Sequence, residues 1–440
     1  MTKNVDDAGV LDRLLPEIRP LENSRSRTPS VTGAVFNVST SVIGAGIMSI
    51  PATLKVLGVF PALILILIIA FLSDVSVDFL LRHTLAGKSK TYAGVMGEAF
   101  GRGGSLLLQL SIMLTTLGTL VMYLIIIGDV LSGTNTDGTL HPGILQQWFG
   151  IHWWNSRQCS ILGTIILVVL PLVMLRRVES LRFTSAVSVL LAVVFVIISS
   201  VMAIIAIFEG KTETPKLVPD FAHQASFLEL FTAVPVIVTA FTFHFNVHPI
   251  ASELSKTSDM TFAVKFSLIL CAAIYSTVGV FGYLLFGEST TADILVNFNQ
   301  NFGSEAGLLL NDTVRLSYVF HLMLVFPLLN FSLRCNIDEL LFPKRPPLAS
   351  HPARFMWITI SLLGLIYVAA ILIPSIWYSF QFIGSTSAVC IAFIFPGAIA
   401  LRDVHGISTR RDKIMASLMI FLAGLASIIA ISSNITNAVS

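Results

Sequence analysis

Charged residues are scarce in this chain. Only 12% of its 440 residues are Asp, Glu, Lys or Arg, about half the share found in a soluble globular domain. So thin a charge does not solvate a globular surface, and a net charge of +2 offers no basic face to nucleic acid. Cysteine is also sparse, at four residues. Only Cys159 falls near the non-cytosolic face assigned below, where it has no partner, so no structural disulfide is expected. There is no dinucleotide-binding glycine motif and no P-loop. No cofactor is expected, and ATP is not a direct source of work for this chain.

Long apolar runs occupy the space that charge leaves. Mean hydropathy is +0.84 and 55% of residues are hydrophobic. A spanning helix needs about 20 mostly apolar residues. By that criterion about eleven segments are predicted, at 32–55, 57–81, 105–132, 158–175, 183–208, 227–248, 261–286, 307–331, 355–374, 376–400 and 414–433. The runs are continuous and not alternating, so they are helices and not barrel strands. The expected fold is an all-α integral membrane protein with 11 transmembrane helices. Residues 1–31 are polar, with four arginines and no apolar core, and read as a cytosolic tail and not a cleaved signal. Residues 32–433 form the membrane domain and 434–440 a short tail. Leu14-Leu15 in the first tail is either a sorting signal or a chance pair.

Basic residues set the orientation, because Lys and Arg accumulate in cytosolic loops. With a cytosolic N-terminus, 22 of the 27 basic residues fall in the tail and the alternate loops on its side. The opposite face has Lys55, Arg157, Lys211 and Lys216, and Arg315 lies within a span. The C-terminus is then lumenal or extracellular.

The first segment contains "FNVSTSVIGAGIMSIPATL", residues 36–54. Gly44-Ala45-Gly46 falls at its middle. Glycine costs about 1 kcal/mol relative to alanine inside a helix. Unwinding in lipid exposes backbone groups that cost several kcal/mol each. Either the glycines let a neighbouring helix approach closely, or the helix breaks there at a polar site. In the second case the half-helix starting near Ile47 turns its positive end and free N–H groups on the break, next to Ile43, which suits a carboxylate. The sixth segment reads "AVPVIVTAFTFHFNVHPIASEL", residues 233–254. Thr242, His244 and Asn246 are costly in hydrocarbon. Pro249 opposes a continuous helix at His248 and suits the first turn of a second half-helix. Two interrupted helices five spans apart are what a five-plus-five inverted repeat with one extra helix produces, and such pairs mark the central site of carriers.

These stretches resemble the amino acid/auxin permease family. "FNVSTSVIGAGIMSIPATLKVLG" is similar to its first span, "FTFHFNVHPI" to its sixth and "NDTVRLSYVFHLMLVFPLLNF" to its eighth. The likeness is strongest to the plant vacuolar branch related to the sodium-coupled neutral amino acid transporters. It implies the fold of the bacterial leucine transporter and amino acid transport coupled to protons or sodium. It implies that the backbone at Gly44, Ala45 and Gly46 holds the substrate carboxylate. The carbonyls and side chains from Thr242 through Phe243 and His244 to Phe245 would then meet the ammonium and side chain. A vacuolar or other endomembrane follows from the resemblance alone, with the plasma membrane as the alternative.

The sodium-coupled relatives place an Asn at the position of Thr40 and a hydroxyl six or seven residues before Phe326-Pro327. Here that window holds Val319, Phe320 and His321, so protons are favoured over sodium. His321, at mid-depth of segment 8, and Asp74, deep in segment 2, are the candidate proton groups. A hydrogen-bonded structural histidine is the other reading of His321. His244 and His248 have the i, i+4 spacing of zinc ligands, but Pro249 disrupts the helix and no third ligand is evident, so no metal site is assigned. Asp312/Arg315 and Asp78/Arg82 have helical ion-pair spacings and read as structural locks. Thr115, Thr116 and Thr119 either line the pocket, with Thr116 as a substrate contact, or bond their own helix. Asn311 and Asn434 open sequons too near the membrane for modification. The loops 133–157 and 287–306 read as covers or gates. The partners expected are an amino acid, a proton and the lipid bilayer, with the chain as a monomer. A membrane enzyme built on His244, His248 or His321 lacks a well-placed acid, since Glu253 falls on the cytosolic side. An amino acid sensor sharing the fold is the remaining alternative.

Overall fold

The computed structural model describes residues 31–439 apart from 137–138, 176–181, 213, 220–226, 253, 255–256, 299–304, 343–345, 347 and 374. The expectations for the N-terminal tail, for Arg176, Arg177, Glu253 and Lys256, and for the side chains of Arg182 and Asn434 lie outside the described residues.

Among these, nine helices are long and apolar enough to cross a membrane. They are segment 2 (Val59–Ala86), segment 3 (Tyr92–Ser132), segment 5 (Val187–Phe208), segment 6 (Leu230–Ser252), segment 7 (Ser258–Ser289), segment 8 (Gly307–Asp338), segment 9 (Pro352–Leu372), segment 10 (Ile376–Arg402) and segment 11 (Arg410–Ser433). Segment 1 is a bent pair, helix 1a (Val31–Val42) and helix 1b (Gly46–Leu57), and makes a tenth span when counted as one. Segment 4 is a shorter apolar stretch, Arg157–Val173, about 25 Å long at 1.5 Å per residue. Every predicted run is thus helical, and segment 4 alone falls short of the spanning length.

Burial separates the centre of the bundle from its edge. In the most apolar windows of segments 6 and 10, 72% of residues are buried, against 28% in segment 11. Large apolar side chains such as Leu67, Phe71, Leu167, Ile269 and Phe421 remain exposed on the outer surface, which is the pattern of a chain solvated by lipid tails. Segment 8 packs chiefly on segments 5 and 3, and segment 7 on both halves of segment 1. Helix 1b packs on segment 6 and segment 10 on segment 6. The two interrupted helices therefore lie side by side at the centre.

Two predicted elements differ in detail. Segment 3 starts at Tyr92, not near 105, because Gly101 (φ 67°) turns a short amphipathic helix into the long one; its polar residues hid it from a hydropathy criterion. The 133–157 cover contains a two-stranded hairpin, Thr134–Thr136 with Thr139–His141, and a short helix, Ile144–Phe149.

On the face where helix 1a begins, here called the N face, Arg82 pairs with Asp78 at 2.8 Å and with Asp412 at 2.9 Å. Lys413 reaches Asp403 at 3.1 Å and His405 reaches Glu98 at 3.1 Å. The expected Asp78/Arg82 pair is thus part of a wider tie between segments 2, 3 and 11. The Asp312/Arg315 pair does not form. Arg315 is buried and donates to Gln147 Oε1 and to the carbonyls of Val130 and Pro142, while Asp312 accepts from Trp148 Nε1 at 2.9 Å. Uncapped carbonyls at the end of segment 3 and in the cover outcompete a carboxylate that tryptophan already serves.

Segment 10 approaches segment 6 without a side chain between them. A Cβ at Gly384 would lie 2.0 Å from the Pro235 carbonyl oxygen. Gly384→Ala is expected to lower thermal stability in detergent by about 1–3 kcal/mol. Gly364→Ala, where nothing lies within 4 Å, is expected to leave the melting temperature within error. Size-exclusion thermostability of the two variants checks this.

Candidate functional site

Helix 1a ends at Val42 and helix 1b starts at Gly46, with their axes bent by 59°. The Ile43 amide still bonds Ser39 O at 2.8 Å. The next three amides, of Gly44, Ala45 and Gly46, make no backbone hydrogen bond among the described residues. Ile47 and Met48 reach back only three residues, to Gly44 O at 3.4 Å and Ala45 O at 3.1 Å. Three successive free N–H groups therefore stand at the positive end of helix 1b, the arrangement that binds a carboxylate.

The helix breaks at the glycines, and a neighbouring helix also approaches closely there. A Cβ at Gly46 would sit 2.5 Å from Ala240 Cβ and 2.7 Å from Ala240 Cα. Ala240 is the last residue of the first half of segment 6, Ala233–Ala240. Close approach and interruption occur at the same residues, because helix 1b packs directly on the first half of segment 6 where both helices break. At Gly44 a Cβ would lie 3.0 Å from the Tyr123 hydroxyl.

Segment 6 is interrupted between Ala240 and the short turn His244–Asn246, after which Val247–Ser252 is helical. Phe241 (φ −99°, ψ 12°) and Phe243 (φ −123°, ψ 2°) lie in the sparsely allowed bridge region. Thr242 is buried and donates to Val238 O at 2.7 Å, so its hydroxyl serves its own helix end. Phe243 is fully buried and Asn246 is half-buried.

The carbonyls freed by the breaks converge on tyrosines. Tyr275, from segment 7, lies 2.7 Å from Val42 O and 3.1 Å from Ala240 O. One hydroxyl thus reaches the last carbonyl of the first half of both broken helices. Tyr318, from segment 8, donates to Gly44 O at 2.7 Å. Tyr123, Tyr275 and Tyr318 are all buried. Sequence reasoning did not single them out. The available signal was that a tyrosine inside an apolar helix needs a hydroxyl partner, and the chain has only seven tyrosines.

The two histidines of segment 6 are structural in their contacts. Ser76 donates to Ser73 O, which leaves the His244 Nε2–H to donate to Ser76 at 2.6 Å. Thr84 donates to Leu80 O, and His248 Nε2 bonds Thr84 at 2.8 Å. His248 also stacks on Tyr92 at 5.9 Å. Segment 6 is thereby pinned along segment 2.

The proposed ion-coupling residues do not meet in one place. Thr40 donates to Phe36 O of its own helix. Asp74 is half-buried on segment 2, with Lys265 and Asp78 within electrostatic reach. His321 bonds Ser188 O of segment 5 through Nδ1 at 2.7 Å, and its Nε2 has no hydrogen-bond partner among the described residues. Its ring lies 4.8 Å from that of Tyr318, so it touches the break through that tyrosine and not directly. Thr116 and Thr119 bond Ile112 O and Thr115 O of their own helix, whereas Thr115 crosses to Ser387 of segment 10 at 2.7 Å.

Comparison with known proteins identifies this architecture. The sequence profile described as "Transmembrane amino acid transporter protein" matches residues 27–436. The chain is 58% identical over 422 residues to "Amino acid transporter AVT6C" of Arabidopsis thaliana, covering 96% of this chain and 97% of the relative. It is 26% identical to "Sodium-coupled neutral amino acid transporter 7" of Danio rerio over 94% of this chain and 90% of the relative. The solved structure of a mutant manganese transporter of Eremococcus coleocola shares the fold at 14% identity with a TM-score of 0.54, over 96% of this chain and 91% of that one. The chain is therefore a multi-pass integral membrane protein and not an enzyme, and it belongs to the transmembrane amino acid transporter family.

Proposed function

We propose that this protein is a secondary transporter that moves amino acids by alternating access, with the substrate held at mid-membrane between the breaks of segments 1 and 6. The observation that carries the reading is the run of three unbonded amides at Gly44, Ala45 and Gly46, beside carbonyls of Val42 and Ala240 close enough for one hydroxyl to reach both. An amino acid presents one carboxylate and one ammonium. The amides take the first, and the break carbonyls take the second through the lone pairs that their tyrosines leave open, with Ile43, Ile47, Thr116 and the 242–246 turn around the side chain. The first half of segment 1 then moves against segments 3 and 8.

Proton coupling is the favoured drive. The Thr40 hydroxyl is committed to its own helix, and the window 319–321 supplies no hydroxyl, so hard oxygen ligands for sodium are few. The basic-residue asymmetry supports a cytosolic N face and a lumenal far face. Ten spans plus segment 4 support eleven helices in a five-plus-five repeat with one extra.

Counterflow in proteoliposomes tests this. Labelled amino acid is expected to enter vesicles loaded with unlabelled amino acid, at a rate that changes between pH 5 and 8 and ignores sodium. Absence of exchange from monodisperse protein would overturn the reading, and sodium dependence would overturn the proton assignment. Gly46→Leu is expected to abolish exchange. Gly44→Ala, the gentler change beside Tyr123, is expected to raise KM about tenfold, the equivalent of 1.4 kcal/mol. Tyr275→Phe leaves buried carbonyls unserved at a cost of about 1–3 kcal/mol and is expected to lower both the melting temperature and the exchange rate.

A further inference from the structure

Residues 290–297, in the connection between segments 7 and 8, lie against helix 1b and are stitched to it. Ser49 donates to Ala292 O at 2.6 Å and Lys55 to Thr290 O at 3.1 Å. The next residue, Asp293, caps the short helix Ile294–Asn297 by accepting from the Leu295 amide at 3.0 Å through Oδ1. It is 4% exposed, and its Oδ2 has no hydrogen-bond partner among the described residues.

The charged groups around it have other partners, apart from the Arg315 Nε, which has no hydrogen bond among the described residues. The short helix packs against helix 1b and segment 3. Lys55, the one charged residue of helix 1b, serves Thr290. Asp129 of segment 3 lies 3.3 Å from Arg157 and repels Asp293. Arg315 of segment 8 attracts Asp293, but its two terminal nitrogens are spent on Gln147, Val130 and Pro142. Glu288 is paired with Lys216 and Tyr283. Tyr318, in electrostatic reach of Asp293, bonds Gly44 O. Among the described residues, no cation makes contact with Asp293.

We propose that Asp293 is a proton-binding site whose occupancy accompanies closure of the far face over helix 1b. A buried carboxylate with a bare oxygen and an acid nearby is not held ionised; it takes a proton instead. Burial, with Asp129 adding to it, pushes the Asp293 carboxyl up to about 8 in this closed arrangement, against the pull of the Leu295 amide and Arg315. When the loop lifts and water enters, the group returns to the ordinary carboxylate range near 4. Closure therefore takes up a proton between these values, and the open-to-closed ratio rises up to tenfold per pH unit across that window. An acidic compartment on the far face holds it shut.

The proposal rests on the reading of the chain as a carrier that opens to each face in turn, but its test does not use transport. In a chain with its four cysteines replaced, Thr290→Cys places a thiol at a buried position of the same loop. Maleimide labelling, normalised at each pH to the denatured chain, is expected to rise at least tenfold from pH 5 to 8. With Asp293→Asn added, labelling is expected to stay low and flat, with monodispersity reporting folding. An unchanged pH profile in the Asp293→Asn chain, or a flat profile with Asp293 present, would overturn the proposal. Amino acid counterflow by the same proteins reports separately on the carrier reading.

Discussion

The structure depends on one constraint: a backbone N–H or C=O in an apolar bundle must find a partner or stay reserved for a ligand. Two helices break this rule side by side, and the surrounding helices are arranged to contain the damage. Segment 7 contributes Tyr275 to the carbonyls of both breaks, and segment 8 contributes Tyr318 to Gly44. Carbonyls are served and amides are not. That asymmetry matters because an amide run at a helix N-terminus carries positive potential, so the groups left wholly unbonded favour an anion.

The polar residues that attract attention in an apolar sequence divide by the same logic. His244 and His248 take up hydroxyls on segment 2 and join two helices. Thr242, Thr116 and Thr40 turn back on their own helices. Each such contact removes a polar group from the pool available to substrate. The backbone of the break remains, and in the proposed site it would meet the groups common to all amino acids.

The two faces of the bundle are built differently. The N face is tied by ion pairs that reach from segment 2 to segment 11, partly exposed and individually weak. The opposite face has ion pairs too, Arg157 with Asp129 and Lys216 with Glu288, but it adds a loop segment bonded to helix 1b and a buried Arg315 that serves carbonyls. Weak exposed pairs reform readily when helices move, while a buried carboxylate responds to the proton concentration around it.

The all-helical membrane class, the positions of the apolar runs and the two interruptions are legible in the order of residues alone. These are local properties: apolar length, glycine and proline are read from neighbouring residues. The Gly44–Gly46 amides likewise stand at a helix start, as their sequence suggests. Which polar groups serve the breaks is settled by packing. Tyr275 meets Val42 across 233 positions and Tyr318 meets Gly44 across 274, and no local pattern encodes those pairings. The same distance explains why the i, i+3 spacing of Asp312 and Arg315 misled: carbonyls brought in from 130 and 142 were the better partners. Spacing along one helix lists the pairs a side chain can make, and packing between helices chooses among them.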